Sequence, residues 1–140
     1  MARGHTKHDR ALAYLGSDTG GEVVTAASLN STQYTGWIYV GNMSQLVIAV
    51  DYTHDSGSAV TMSARVAMDN TGADGTGFLL HRVDAAGTST PYQWSNAVAG
   101  SEKWTWTIFN LPLPWINLEF DGTGAGVDDV ATVAVLGVTP

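Results

Sequence analysis

The sequence contains no cysteine. This absence excludes a disulfide framework, a thiolate zinc site and a cysteine nucleophile. No segment approaches the roughly 20 consecutive apolar residues of a membrane-spanning helix, and no apolar run of signal-peptide length follows the N-terminus. We therefore expect a protein that is made in a cytoplasm and has no membrane partner. With 140 residues it is long enough for one domain with its own core.

Charge is also scarce and unevenly placed, since charged residues make up 14% of the chain and the net charge is −7. Residues 1–10 hold three basic side chains, Arg3, Lys7 and Arg10, and one acidic side chain, Asp9, for a net charge of +2. The other 130 residues hold three basic and twelve acidic side chains, for a net charge of −9. Because a body with this charge repels phosphate, we expect no direct contact with nucleic acid.

What the sequence does contain is typical of an all-β protein. Sixteen glycines accompany abundant threonine, valine and alanine, a composition that suits short strands joined by tight turns. About eight segments alternate between apolar and polar residues, with turn signals every 8 to 12 residues, and none requires a helix. The sequence predicts an antiparallel β-sandwich, jelly-roll-like, of about eight strands over residues 22–140, and one of these strands is expected over residues 33–40.

Tryptophan is concentrated in residues 103–121, KWTWTIFNLPLPWINLEFD, which contain three of the five tryptophans and two of the three phenylalanines. Trp104, Trp106 and Ile108 fall on one face of the first half. In the second half Ile116, Leu118 and Phe120 share one face, and the prolines between the halves break the strand ladder. This pattern predicts two long strands joined as a hairpin, whose rings supply much of the core.

Residues 44–53 and 59–69 alternate most clearly. We expect Leu46, Ile48, Val50 and Tyr52 to face inward in the former, and Val60, Met62, Ala64, Val66 and Met68 in the latter. The turn residues 54–58 between them predict a second long hairpin. The last segment, residues 129–138, is apolar on both faces, which is typical of a central strand.

Residues 1–21 show no strand alternation and end in a cluster of glycine, serine and aspartate. We interpret them as an extended, flexible basic N-terminal arm in which residues 11–15 have the length for a single helical turn. Because Arg3, Lys7 and Arg10 make up half of the basic residues, they are our candidate partner-binding residues, directed at an acidic surface.

Catalytic and metal-binding patterns are weak. His5, His8, His54 and His81 lack the spacing of a helical metal site. His54-Asp55 reads better as a solvated turn than as part of a triad. Two acidic loops, residues 69–75 and 121–129, lack the EF-hand spacing, and turn chemistry accounts for them. We predict no catalytic, cofactor-binding or metal-binding residues, and therefore no enzymatic activity.

The order of features resembles one family. A short basic arm precedes the strand SQLVIAVDYT and its neighbour AVTMSARVAMD, followed by KWTWTIFNLPLPWINLEF and a final DDVATVAVLGV. The chain resembles the jelly-roll cement, or decoration, proteins of tailed bacteriophages. The resemblance implies a non-enzymatic structural protein on the exterior of the virion, made in the host cytoplasm. Such a protein bridges major capsid protein subunits as a homodimer or a higher symmetric assembly, and stabilises the capsid.

A second hypothesis belongs to another class. Large aromatic side chains on a β-sandwich can form a stacking platform for sugars, so the sequence is also compatible with a carbohydrate-binding module or lectin-like protein that uses exposed Trp37, Trp94 or Trp115. A defined glycan would then quench tryptophan fluorescence, whereas a cement protein would ignore glycans and bind capsid shells.

Overall fold

The computed structural model describes residues 12–14, 22–109 and 111–139, and within these residues it is all-β with no helix. The strands are β1 (Leu12–Tyr14), β2 (Glu22–Ser28), β3 (Gln33–Tyr34), β4 (Ile38–Tyr39), β5 (Gln45–Thr53), β6 (Ala59–Ala67), β7 (Phe78–Leu79), β8 (His81–Val83), β9 (Ser89–Pro91), β10 (Gln93–Ala97), β11 (Glu102–Phe109), β12 (Trp115–Thr123) and β13 (Val130–Val138).

Two antiparallel sheets form the sandwich. The first sheet has the order β1-β13-β5-β11, and β2 pairs with β13 beside β1. The second sheet has the order β10-β6-β12-β3, with β4 also paired to β12 and β7 also paired to β6. β8 and β9 pair as a small separate hairpin. The long strands that follow one another along the chain mostly lie in opposite sheets, which is the jelly-roll arrangement and confirms the predicted fold class.

Both predicted long hairpins are wrong. β5 pairs with β11 and β13, whereas β6 pairs with β10 and β12, so the two strands lie in different sheets. The tryptophan-rich strands behave in the same way, since β11 pairs with β5 and β12 pairs with β6. In both cases the connecting loop crosses from one sheet to the other. Crossing allows the apolar faces of consecutive strands to meet across the core, which in-sheet pairing would not achieve.

The core lies between the sheets and is mainly aliphatic. The predicted inward faces of β5 and β6 are confirmed, apart from Met68, as is that of β12, whose Ile116, Leu118 and Phe120 have no exposed surface. Trp104 and Trp106 pack against the edge of this core and remain half-buried. Trp104 and Trp106 therefore border the core, and the fully buried large rings are Tyr52 and Phe120.

Three local expectations need correction. Met68 is 68% exposed, because β6 and its pairing with β12 end at Ala67. The strand expected over residues 33–40 is divided into β3 and β4 at Gly36, which has a φ of +76°. Leu12–Tyr14 form a strand paired with the end of β13 and not a helical turn. The arm as predicted therefore includes one strand, while the rest of residues 1–21 lies outside the described residues.

The two sheets share two ends. Residues 54–58 join the end of β5 to the start of β6, and Ser58 donates a hydrogen bond to Thr123 at the end of β12. We name this the clamp end. At the opposite end, Gln45 of β5 lies beside both Phe109 of β11 and Val138 of β13. Leu12 pairs with Val138, so residues 1–11 leave the body there. We name this the arm end.

Candidate functional site

The predicted partner-binding residues Arg3, Lys7 and Arg10 lie outside the described residues. The structure does locate the point at which their segment joins the body, because β1 begins at Leu12 beside the last residue of β13. The surface around that point is therefore the first candidate for a contact site.

The arm end collects most of the exposed large apolar side chains. Six such side chains occur among the described residues, and four of them lie at this end: Tyr39, Met68, Phe78 and Phe109. Each is at least half exposed. Of the other two, Val83 is on the β8–β9 hairpin and Val127 is near the clamp end. The clustering of four at one end is the pattern expected of an interaction surface.

Strand ends and outward-facing positions account for this cluster. Phe109 is the last residue of β11, and Met68 directly follows the last residue of β6. Phe78 lies opposite Val66 in a strand of two residues. Tyr39 pairs with Trp115 at the start of β12, and their rings meet edge to face with centroids 5.3 Å apart. Tyr39 and Phe109 directly follow the buried Ile38 and Ile108, so they point to the outer faces of their sheets, which the other sheet does not cover.

A cleft lies between the edges of the two sheets. It has a volume of about 340 Å³ and is lined by Leu80, His81, Arg82, Tyr92, Trp94, Thr107, Ile108 and Phe109. Its walls are the edge strand β11 of the first sheet and, opposite it, β10 of the second sheet together with β8 of the small hairpin. This volume is at the small end of the range for ligand pockets.

One wall of the cleft is a stack of side chains. The Tyr92 and Trp94 rings have centroids 4.1 Å apart and an interplanar angle of 31°. The guanidinium carbon of Arg82 lies 5.6 Å from the centroid of the Tyr92 ring, within cation–π range. Of the three cationic side chains in the described part of the chain, Arg65 pairs with Glu119 and Lys103 with Asp51, whereas Arg82 has no carboxylate partner there. The cleft therefore contains an uncompensated positive charge beside aromatic rings.

Sequence reasoning selected Trp94 but missed Arg82, Tyr92 and Phe109. Nothing in the local pattern identifies them, because they come from three separate segments that meet only after the sheets have packed. Arg82 is the one residue of the three that the sequence could have singled out, because it is one of only three basic residues after residue 10.

The clamp end is organised by Asp129, which has no exposed surface. Its Oδ1 accepts hydrogen bonds from the Tyr52 hydroxyl at 2.6 Å and from the backbone N–H groups of Asp55, Ser56 and Gly57 at 2.7 to 3.0 Å. Its Oδ2 accepts from the Ser56 hydroxyl at 2.9 Å and the Gly126 N–H at 2.8 Å. We name this arrangement the Asp129 clamp, since it joins the loop before β6 to the loop before β13.

The Asp129 clamp shifts the pKa values of two side chains, Asp129 and Tyr52. Burial by itself would raise the pKa of Asp129, but the hydrogen bonds from Tyr52 and from the N–H groups of Gly126, Gly57 and Asp55 outweigh it and hold that pKa well below its usual range. Burial and the hydrogen bond to Asp129 raise the pKa of the Tyr52 hydroxyl above its usual range. The carboxylate thus stays ionised and is fully engaged by donors, which is a structural arrangement and not one suited to proton transfer.

The acidic loops and His54 have similar structural roles. Asp69 accepts hydrogen bonds from the N–H and the hydroxyl of Thr71 within its own turn. Asp74 accepts from the Asn117 side chain at 2.6 Å. His54 contacts the Gly57 carbonyl and its ring packs edge-on against Tyr52. Over the described residues, no group of three or more His, Asp or Glu side chains is arranged to hold a metal ion.

The tryptophans named for sugar stacking are each engaged by other groups. Trp37 donates its indole N–H to the Gly72 carbonyl at 2.7 Å, and its ring lies against Gly77. Trp115 packs on Tyr39, and Trp94 packs on Tyr92. All three are half-buried. Trp94 is the one of the three that lines the cleft.

A second groove crosses the outward face of the first sheet. It has a volume of about 400 Å³, and its lining side chains include Ala49, Asp51, Lys103, Thr105, Thr132 and Ala134. Most of these side chains are small, and the charged pair Lys103–Asp51 is 3.6 Å apart and exposed. The groove offers a smooth contact face, with no unpaired charge to orient a ligand.

Comparisons with known proteins assign no family. No protein-family model and no curated protein matches the chain. Among the solved structures, it is similar to a carbohydrate-binding module described as CBM4, with a TM-score of 0.45 and 12% identity over 94% of this chain and 70% of that one. It is also similar to the surface-associated copper-binding protein CorA of Methylomicrobium album BG8, with a TM-score of 0.42 and 11% identity over 93% and 92% of the two chains.

A third similar structure is a carbohydrate-binding module of Cellvibrio mixtus lichenase 5A in complex with cellotriose, with a TM-score of 0.41 and 9% identity over 94% and 95% of the chains. At such scores and identities none of the three assigns a ligand or a function to this protein. No helix in the described residues is long and apolar enough to cross a bilayer.

Proposed function

We propose that the protein is a non-enzymatic structural protein that binds the outer surface of a tailed-phage capsid through its arm end. In this role it contacts subunits of the major capsid protein and stabilises the shell by bridging them. The family resemblance of the sequence supports the proposal, and so does one structural observation: four exposed large apolar side chains cluster at the end from which residues 1–11 leave the body.

The arm end suits this role because it combines two kinds of contact. Its exposed rings and Met68 offer apolar area, which is buried favourably against a protein surface. Residues 1–11 can extend by at most about 40 Å, which lets Arg3, Lys7 and Arg10 reach an acidic groove on a neighbouring subunit. A symmetric assembly of copies on the shell then strengthens a modest contact through avidity.

The direct test is co-sedimentation with capsid shells that lack this protein. We expect the wild-type protein to bind saturably, and the double variant Phe78→Ser with Met68→Ser to bind at least about tenfold more weakly, because apolar anchors dominate such contacts. The matched control is Val127→Ser, since Val127 is 65% exposed but lies away from the arm end. Absence of binding by the wild type, or an equal loss in Val127→Ser, would refute the proposal.

A second candidate is saccharide binding in the cleft, favoured by the Tyr92 and Trp94 rings that line it. It fits less well because Arg82 lies over the Tyr92 ring and Trp94 packs against that same residue, so neighbouring groups occupy these surfaces. A glycan screen by tryptophan fluorescence tests it. Saturable quenching by a defined oligosaccharide, lost in Trp94→Ala and retained in Trp37→Phe, would establish the saccharide site.

A further inference from the structure

The cleft lies beside the end of β11, an edge strand of the first sheet. Thr107, Ile108 and Phe109 of this strand all line it. On one edge β11 pairs with β5 over its whole length, from Glu102 to Phe109. No other strand in the described residues pairs with β11.

This free edge lacks the usual protection. Natural proteins block edge strands with charged side chains, prolines, bulges or short length. β11 has eight residues, and its only charged residues, Glu102 and Lys103, are at the end far from the cleft. The remaining six, WTWTIF, contain no proline, glycine or charge and are all strong strand formers. The half of β11 that borders the cleft is therefore open to pairing with another extended chain.

The opposite wall of the cleft determines which side chains favour the addition of a segment to β11. A strand added to β11 would direct alternate side chains into the cleft, where Leu80, Tyr92 and Trp94 present apolar and aromatic surface. Arg82 lies on the same wall without a carboxylate partner among the described residues. Charge complementarity therefore favours an incoming segment with an acidic side chain. Residues 1–11 precede β1 in the sequence, and β1 lies at the opposite edge of the first sheet from β11.

We propose that this cleft binds an extended acidic segment of a partner protein by strand addition to β11. Main-chain hydrogen bonds to the free edge provide affinity, one apolar side chain fills the cleft, and one carboxylate binds Arg82. The identity of the partner as a capsid protein rests on the proposed function, but the ability to bind such a peptide does not. Both can therefore be tested separately.

The probe is a capped synthetic peptide as long as β11, with alternating threonine and valine and a single central glutamate, titrated against the full-length protein by tryptophan fluorescence and calorimetry. We expect saturable binding, weakened about twofold to fivefold by Arg82→Gln, the range for an exposed charge pair. Arg82→Lys should restore part of the affinity. The matched control is Arg65→Gln, which removes the same charge at a site away from the cleft and should leave binding unchanged.

Peptide backbone variants test the strand pairing itself. N-methylation of alternate residues along one edge of the peptide removes the donors for pairing on that edge, so one of the two alternating patterns should abolish binding. Amide hydrogen exchange in β11 should slow when the peptide binds. A lysine in place of the glutamate should weaken binding further than Arg82→Gln does.

The outcomes separate the two proposals. If the protein binds capsid shells but the peptide shows no saturable binding up to about 1 mM, strand addition is refuted and the proposed function stands. If the protein binds the peptide but does not bind capsid shells, the proposed function is refuted and strand addition stands. Peptide binding that survives both N-methylation patterns, or a cleft that binds an oligosaccharide and not the peptide, would also overturn the inference.

Discussion

At the scale of single residues, Asp129 has the largest structural role of any charged side chain that the structure describes. It joins segments that are far apart in sequence, since Tyr52 and Asp129 are separated by 77 positions. Its carboxylate replaces lost hydration with donors, most of which are backbone N–H groups that would otherwise be buried without partners. Gly57 is part of the arrangement, because a Cβ at this position would lie 2.6 Å from the Tyr52 hydroxyl oxygen.

We expect Asp129→Asn to lower Tm by about 5 °C or more. The substitution keeps the shape of the side chain but replaces one acceptor oxygen with an NH₂ group, which would face the donors Ser56 and Gly126. Asp128→Asn is the control, because it makes the same change in charge at the exposed neighbouring position. Similar melting temperatures for the two variants would show that the clamp is not an important source of stability.

The same clamp predicts a dependence of stability on pH at both extremes. The lowered pKa of Asp129 stabilises the fold above the unfolded-state value of about 3.9, and this contribution declines as the pH falls further. The raised pKa of Tyr52 stabilises the fold below the unfolded-state value of about 10, and this contribution is lost as the pH rises beyond it.

Denaturant unfolding between pH 9 and about 12 measures the alkaline loss. Tyr52→Phe should be less stable than the wild type at neutral pH, because Asp129 loses a donor, and should lose less stability as the pH rises. Tyr39→Phe, at an exposed ring, serves as the control and should follow the wild-type profile. If the free energy of unfolding fell equally with rising pH in the wild type and in Tyr52→Phe, the Tyr52 hydroxyl would not be the cause of the alkaline loss of stability.

At the scale of elements, the tryptophan-rich segment contributes to both sheets. β11 is the edge of the first sheet, whereas β12 is an interior strand of the second sheet. An edge strand is covered on fewer sides, so its Trp104 and Trp106 stay half-buried and pack on each other with centroids 5.5 Å apart. The interior strand carries the fully buried Phe120. Residue size alone would have predicted deeper burial for Trp104 and Trp106 than for Phe120.

We therefore expect Phe120→Ala to reduce the free energy of unfolding by about 3–5 kcal/mol, the cost of a large cavity in a well-packed core. Trp106→Ala should cost less, about 1–3 kcal/mol, because part of its ring is already in solvent. Urea denaturation of both variants gives the comparison. A cost for Trp106→Ala equal to or above that for Phe120→Ala would show that the edge of the sandwich is as tightly packed as its centre.

At the scale of the whole molecule, the protein has two dissimilar ends. The clamp end is closed by the hydrogen bonds of Asp129. The arm end displays four exposed large apolar side chains, and β1 begins there. Under the proposed function, stability and partner contact depend on different parts of the fold. Changes at the arm end should alter binding more than they alter folding.

Removing residues 1–11 tests this separation. We expect Tm to change by less than about 2 °C, because β1 begins at Leu12 and keeps its pairing with β13. Affinity for capsid shells should fall, and its dependence on salt between about 0.05 and 0.5 M should become weaker, since a net charge of +2 is lost with residues 1–10. Removing residues 1–14 should lower Tm further, because β1 is lost as well. A large loss of stability in the shorter truncation would contradict the separation.

The sequence by itself determined the fold class, most strand bounds and the inward faces, because side-chain alternation is a local property of an extended chain. The residues of β5, β6 and β12 that alternation directed inward are buried, and Met68 is the exception that lies beyond the end of its strand.

Only the tertiary structure decided which strands pair, since an apolar face can be buried equally well by a neighbour in the same sheet or by a strand in the facing sheet. That choice produced the cleft, the Asp129 clamp and the cluster of exposed side chains at the arm end. Crossing between sheets leaves β11 at an edge and brings Arg82 and Tyr92 opposite it. It also places the loop after Tyr52 beside Asp129, and gathers the exposed side chains of separate strands at one end.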